Sequence, residues 1–414
     1  MFWRKVLFPL LAYFLLLSAY SLFSYSLTAP NLILTSWPPY WNFQLYMWRT
    51  FFNNRVLLSQ VYLMLVGAIV FFYLWWGTTR PVLVDFKTPH WKKWLLVLLL
   101  VTIPLLASNN ALSYDVFNYI FNAKMVAVYH ANPHLETATN YLYDDWTRFM
   151  HNTHTPAPYG YGWTLLSLLP YSLGGGKFLL TWLSFRLFSL LSLLLLALTY
   201  LYALRKKLAN VAVVWLILLN PLLLIEIISN SHNDLWMMVP AVWSLLLVSS
   251  DAQPIKGSKF LTTGLSLILL ALATSIKLAT ITLLPLWLAL VIWDLGPIKR
   301  VPLASDLGQF LIRDWPFWAS ILMFIPLLTL RSQQFHPWYL TWVLVWLPLI
   351  KVSKAAKIWI PAILLLSISS LLRYLPYLYA GTFEGNVLWQ QKMITWIPFG
   401  FGLLLFSLHH RLNK

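Results

Sequence analysis

Apolar residues run through this chain in long unbroken stretches separated by short polar joints. Such windows recur at about 6–27, 56–77, 94–108, 178–204, 209–229, 234–250, 260–276, 279–294, 310–330, 337–350, 357–375 and 389–408. Runs of roughly 17–25 apolar residues read as helices able to cross ~30 Å of hydrocarbon. No period-two alternation suggests the strands of a barrel. The pattern therefore predicts an all-α, polytopic transmembrane helical bundle of about twelve crossings.

One long polar segment interrupts the pattern at 109–163. Inside it Val116, Phe117, Ile120, Phe121 and Met125 fall at mixed three- and four-residue spacing, which predicts an amphipathic helix lying flat in the membrane interface. Tyr161–Leu173, followed by three glycines and Lys177, reads as a short half-inserted or re-entrant helix. The chain then divides into N-terminal helices (1–108), an extracytoplasmic loop region with interfacial helices (109–177) and a helical bundle (178–414).

Composition sharpens this. The chain is 60% hydrophobic and only 10% charged, with 24 tryptophans, as expected of a membrane protein. It has no cysteine, which excludes disulfides, thiolate metal sites and a cysteine nucleophile. The formal charge of +17 invites a nucleic-acid reading, yet 18 of the 29 Lys and Arg residues sit in joints that alternate to one side, as cytoplasmic loops do. On that map the N-terminal apolar run is a retained helix, and 28–55 forms an aromatic belt. Residues 109–160, 230–234, Lys277, 331–339 and 373–392 face outward.

The informative polar groups are those this topology leaves unexplained. Four of the twelve carboxylates lie in 109–163: Asp115, Glu136, Asp144 and Asp145. Asp115 stands at a helix start, where an aspartate serves as a cap or, at a membrane surface, as a general base. Lys124, Arg148, Lys277, Arg331, Arg373 and Lys392 are cations on the side that should be poor in them. With His232 and His336 they suggest an outward basic pocket for an anion such as a lipid-carrier phosphate. Arg186, inside a crossing, calls for a partner such as Glu226. Asp144-Asp145 with His151 and His154 form a weak divalent-metal pattern. His232-Asn233-Asp234 reads either as a helix cap or as a set of groups for sugar hydroxyls. Trp338 and Tyr339 read as interfacial aromatics or as stacking platforms. No nucleotide-binding glycine loop is present.

Taken in order, Asp115-Val116 with Tyr119, Asn132-Pro133, Pro158-Tyr159-Gly160, Arg186, His232-Asn233-Asp234 and His336-Pro337-Trp338-Tyr339-Leu340 resemble the GT-C membrane glycosyltransferases. The likeness is greatest to the bacterial polyprenol-phosphate-mannose-dependent mannosyltransferases. The resemblance implies transfer of a sugar from a polyprenyl-phosphate donor to a lipid or glycan acceptor hydroxyl, outside the cytoplasmic membrane, by inverting single displacement and without a cofactor. By residue-for-residue transfer Asp115 would be the base. Lys277, Arg331, His336 and Arg373 would hold the donor phosphate. Tyr119, Lys124, Tyr159, His232, Asn233, Asp234, Trp338 and Tyr339 would line the substrate site. The rival reading is a transporter or flippase for a lipid-linked or small anionic substrate, whose usual inverted repeats the sequence does not display.

Overall fold

The structure, a computed structural model, describes residues 2–29, 31–79, 91–249, 258–295, 313–328 and 335–412. Among these residues every regular element is helical. In chain order they are α1 (Phe2–Ser24), α2 (Pro38–Met47), α3 (Arg55–Thr79), α4 (Trp91–Leu106), α5 (Asp115–Ala127), α6 (Tyr161–Leu173), α7 (Phe178–Arg205) and α8 (Val211–Leu218). There follow α9 (Pro221–Leu224), α10 (Asp234–Val248), α11 (Lys259–Ile276) and α12 (Leu284–Leu295), then the helices Trp315–Phe324, Lys354–Leu372 and Val387–Leu412.

Among the described residues six helical segments are long and apolar enough to cross a membrane: Leu7–Leu27, Arg55–Gly77, Phe178–Arg205, Lys259–Ile276, Lys354–Ala380 and Val387–Leu412. A seventh results if α8 and the segment Pro221–Ser229, bent by 44° at their junction, count as one span. Asp234–Val248, Leu278–Trp293, Trp315–Leu328 and Pro337–Leu349 are apolar but shorter. The expected dozen windows thus divide into six or seven helices of full length and a set of shorter ones, in a multi-pass membrane protein. Helix α6 has 13 residues and so measures about 20 Å, too short to cross.

Two windows depart from their expected form for identifiable reasons. Residues 337–350 are not one helix: Pro337–Leu340 and Leu347–Leu349 are 3-10 turns around a single α-turn, Thr341–Leu344. Pro337 and Pro348 each lack a backbone donor, which stops a continuous ladder from running through them. The window 209–229 breaks at Asn220-Pro221. There the Asn220 side chain caps the new helix by accepting from Leu222 N at 2.9 Å and Leu223 N at 3.3 Å. The last carbonyls of α8, left free by the break, accept from Tyr13 Oη (Leu219 O, 2.8 Å) and Tyr73 Oη (Leu216 O, 2.7 Å). In an apolar surrounding those carbonyls have no water to turn to, so the tyrosines fix where α1 and α3 pack.

Beyond the break the chain forms a π-helical turn, Ile225–Ser229, then Ser231 in the left-handed region at φ 59°. Both features re-aim the backbone so that His232 folds back over Glu226, its N–H donating to Glu226 O at 3.1 Å.

Helix α5 also corrects its expectation. Val116 through Ala123, together with Met125, are buried, so the helix is enclosed by protein rather than lying with one stripe in lipid. It packs against α6 and α7. Its polar residues Asn118 and Asn122 are covered with the apolar ones. Lys124 ends it with a charge suited to the helix C-terminus, and His130 at φ 53° turns the chain away.

Candidate functional site

The segment leading into α5 is held by one buried arginine. Arg186, fully buried in α7, donates from Nη1 to Leu105 O at 2.7 Å and Ile228 O at 3.1 Å, and from Nη2 to Asn110 Oδ1 at 2.8 Å. It does not pair with Glu226 as the sequence suggested; its fork suits the carbonyls left free at the end of α4 and in the π turn. Asn110 continues the link: its Nδ2 donates to Asn230 O at 3.0 Å and its Oδ1 accepts from Trp182 Nε1 at 2.7 Å. Arg186 and Asn110 therefore tie the segment before Asp115 to the loop bearing His232.

Asp115, the first residue of α5, is partly exposed, and its backbone N–H donates to Ser113 Oγ at 3.3 Å. Its carboxylate opens on a cavity of about 700 Å³ whose wall includes Tyr159, Lys277, His336, Trp338, Tyr339 and Trp342. That volume lies within the range of about 300–1,000 Å³ common for ligand sites.

Two glycines set the far wall. Gly160 N donates to Ile276 O at 2.9 Å, and a Cβ on Gly160 would lie 1.9 Å from Ser275 O. Gly162 meets the same residue, with a would-be Cβ 2.1 Å from Ser275 Oγ. The start of α6 thereby abuts the end of α11, bringing Tyr159 beside Lys277. Lys277 Nζ lies 5.8 Å from the Tyr159 and Tyr339 ring centres and 5.9 Å from that of Trp342. It arrives paired: Nζ is 2.7 Å from Asp234 Oδ1, which also accepts from Trp342 Nε1 at 2.5 Å. The lysine thus sets its amino group beside three aromatic rings at the cavity wall.

Three rings stack at the inner end. Trp338 lies between His232 (4.1 Å, 18°) and His336 (4.4 Å, 13°). Burial pushes the His336 imidazole down to about 4; nearby Asp115 opposes this, while Arg373, His232 and Lys277 add to it. His336 is therefore a neutral ring near pH 7, a hydrogen-bonding group rather than a charge. Tyr119, almost wholly buried, sets its ring edge-on to Tyr159 (4.9 Å) and Trp163 (5.0 Å), behind the wall. Asn233 is fully buried, and its amide has no hydrogen-bond partner among the described residues.

Other expected residues lie elsewhere. Lys124 forms an ion pair with Asp144 and lies 4.0 Å from the Trp146 ring centre, so it is committed to the loop that follows α5. Asp144 also accepts from Tyr129 Oη at 2.8 Å. His151 stacks on Tyr114 at 4.0 Å. Among the described residues no three His, Asp or Glu side chains converge in a metal-binding group. Arg373 is buried, donates to Thr395 Oγ1 at 3.3 Å and sits over Phe335, behind His336 rather than on the cavity wall. Arg331 falls outside the described residues.

Sequence reasoning missed Trp342 as a partner of Asp234 and assigned Glu226 to the wrong neighbour. Glu226 accepts from Tyr374 Oη and Asn230 Nδ2, each at 2.8 Å, and faces His232 Nε2 at 3.4 Å. The available signal was a lone acid in an apolar run, which a membrane protein retains for a purpose.

A partly exposed carboxylate and a lysine on the wall of one cavity are compatible with several chemistries, and the family decides among them. The model of the family described as "Alpha-(1->6)-mannopyranosyltransferase, N-terminal domain" matches residues 24–293. The chain belongs to this mannosyltransferase family. It is accordingly a GT-C mannosyltransferase-like membrane glycosyltransferase, and the carrier reading gives way to sugar transfer. The matched span contains Asp115, Tyr159, His232, Asp234 and Lys277, and ends before His336 and Trp338. No curated protein and no solved structure matches the chain.

Proposed function

We propose that this mannosyltransferase moves a mannosyl group from a polyprenyl-phosphate donor to the hydroxyl of a lipid or glycan acceptor at the outer membrane face, in one inverting displacement. The family's description specifies an α product, and a single inversion then requires a β-linked donor. The observation that carries the reading is the placement of Asp115 and Lys277 on one cavity wall among Tyr159, Tyr339 and Trp342.

In this reading the acceptor oxygen attacks the anomeric carbon as Asp115 takes its proton, and the bond to the phosphate oxygen breaks with its electron pair. Negative charge grows on the departing phosphate, so a cation already fixed there stabilises the transition state more than the ground state. Lys277 takes that role and His336 donates a neutral hydrogen bond. Arg373 contributes field from behind, and Arg331 belongs to the same donor-phosphate proposal. Trp338 and Tyr339 stack on the sugar or the prenyl chain. Tyr159 orders the wall beside Lys277, backed by Tyr119. Asp234 holds Lys277, while His232 and Asn233 shape the inner end.

The test is direct. Membranes carrying the protein, supplied with labelled polyprenyl-phosphate mannose, should yield an α-mannosylated lipid or glycan, and nucleotide-sugar in its place should yield none. Transfer from nucleotide-sugar alone would remove the proposal.

A further inference from the structure

Glu226 has no part in the chemistry above, yet it is a fully buried carboxylate whose environment converges on Asp115. His232, also fully buried, stands between the two acids. Its Nδ1 is 3.6 Å from Asp115 Oδ2 and its Nε2 is 3.4 Å from Glu226 Oε2. Neither ring nitrogen has another hydrogen-bond partner among the described residues. The ring is held flat against Trp338, and the left-handed turn at Ser231 presents it at this angle. Both gaps are a few tenths of an ångström longer than good hydrogen bonds, as catalytic contacts commonly are before substrate closes the site.

We propose that His232, backed by Glu226, is the positioning residue for Asp115, forming a carboxylate–imidazole–carboxylate line that holds the proton Asp115 removes from the acceptor. The inference rests on the reading of Asp115 as the base. With Nε2–H directed at Glu226, the His232 tautomer is fixed and the Nδ1 lone pair faces Asp115. After attack, the O–H bond of the Asp115 carboxyl breaks and an N–H bond forms at Nδ1. A neutral acid and a neutral ring become a carboxylate and an imidazolium with an anion on each side. No electron is gained or lost, and the proton returns through Asp115 to the cavity once product has left. Restoring the carboxylate during the step keeps negative charge near the reacting sugar and blocks return of the proton to the acceptor oxygen.

The neighbouring charges are defined. On the Glu226 side stand the Tyr374 and Asn230 donors, with Tyr20 and Tyr62 near enough to feel its charge; Arg186 is occupied by the Ile228 carbonyl. On the other side, beyond Trp338, lie His336, Lys277 and Arg373. Two variants perturb Glu226 in opposite senses and leave His336, Lys277 and Arg373 unaltered. Glu226→Gln removes the negative charge that favours the imidazolium. Tyr374→Phe removes a donor that Glu226 shares, so its charge acts more strongly on His232.

The experiment measures mannosyl transfer by full-length protein in membranes across pH 5–9, at varied concentrations of labelled polyprenyl-phosphate mannose. Glu226→Gln should lower kcat about tenfold or more, leave the donor KM within about twofold, and move the acid limb of the kcat profile to lower pH. Tyr374→Phe, a milder change at a half-buried hydroxyl, should move that limb to higher pH. Structural damage alone does not produce shifts of opposite sign. If Glu226→Gln fails to accumulate, Tyr374→Phe decides the matter alone. Limbs that coincide with the unaltered protein's, or that move the same way in both variants, overturn the line. Asp115→Asn, assayed in parallel, separates the two failures: activity in that variant removes the base itself, whereas its inactivity with unmoved limbs removes only the role of His232 and Glu226.

Discussion

At the scale of single residues, Lys277 shows how a charge can serve two masters. Its ion pair with Asp234 makes truncation of the lysine alone a poor probe, because it leaves a buried carboxylate with Trp342 as its remaining donor. Breaking one side of such a pair typically costs about 3–5 kcal/mol. Lys277→Met should therefore lower the thermal unfolding midpoint, and adding Asp234→Asn should recover it. The double variant should still show a donor KM raised about 10- to 100-fold, the equivalent of one lost charge-assisted hydrogen bond. A donor KM unchanged in the double variant removes Lys277 from the phosphate site. His336 gives a pH signature. Its folded-state value near 4 lies below the ordinary ~6.5, so between those limits the unfolded chain binds a proton that the folded chain does not. Its contribution to stability is full above pH ~6.5 and is lost as pH falls towards 4. The unfolding midpoint of detergent-solubilised protein should fall from pH 7 to pH 5, and His336→Gln should reduce that fall. The sequence made Asp115 conspicuous as a carboxylate at a helix start within the one long polar segment, and Lys277 as a cation on the side that should be poor in cations. It gave no means of seeing that Lys124 is consumed by Asp144, since that pairing depends on how the loop after α5 folds back. Nor did it reveal that Arg186 binds carbonyls, because those carbonyls become free only where helices end.

Among elements, the start of α6 meets the end of α11 at close range. Gly160 is required there for space and not for backbone freedom, since a side chain would collide with the Ser275 carbonyl. Gly160→Ala should push the two helices apart, destabilise the protein by about 1–3 kcal/mol and reduce transfer, as Tyr159 separates from Lys277. Normal activity and an unchanged unfolding midpoint would show that this contact does not shape the cavity. Hydropathy located the apolar windows well, because burial in lipid or protein imposes the same composition on every helix. It could not distinguish a continuous helix from the broken segments at Asn220 and at Pro337–Leu349, where prolines and side-chain caps decide continuity. It also misjudged α5, whose apolar residues cover one face while neighbouring helices cover the rest.

For the molecule as a whole, the proposed reaction requires the cavity to open on the outer face. A reporter fused at residue 140 should be active only outside the membrane, and one at residue 207 only inside, matching the cationic cluster Arg205-Lys206-Lys207. Exchanged reporter signals would invert the site. The family assignment and the buried network around Arg186 are independent of that orientation, but the lipid-phosphate donor proposal requires access from the correct leaflet. The central claim is that Asp115 removes the acceptor's proton, and one measurement addresses it most directly: the rate of mannosyl transfer by Asp115→Asn in membranes where the variant accumulates normally. Loss of about 10²- to 10⁴-fold in kcat with donor binding retained is the predicted result; a rate near that of the unaltered protein would contradict the mechanism.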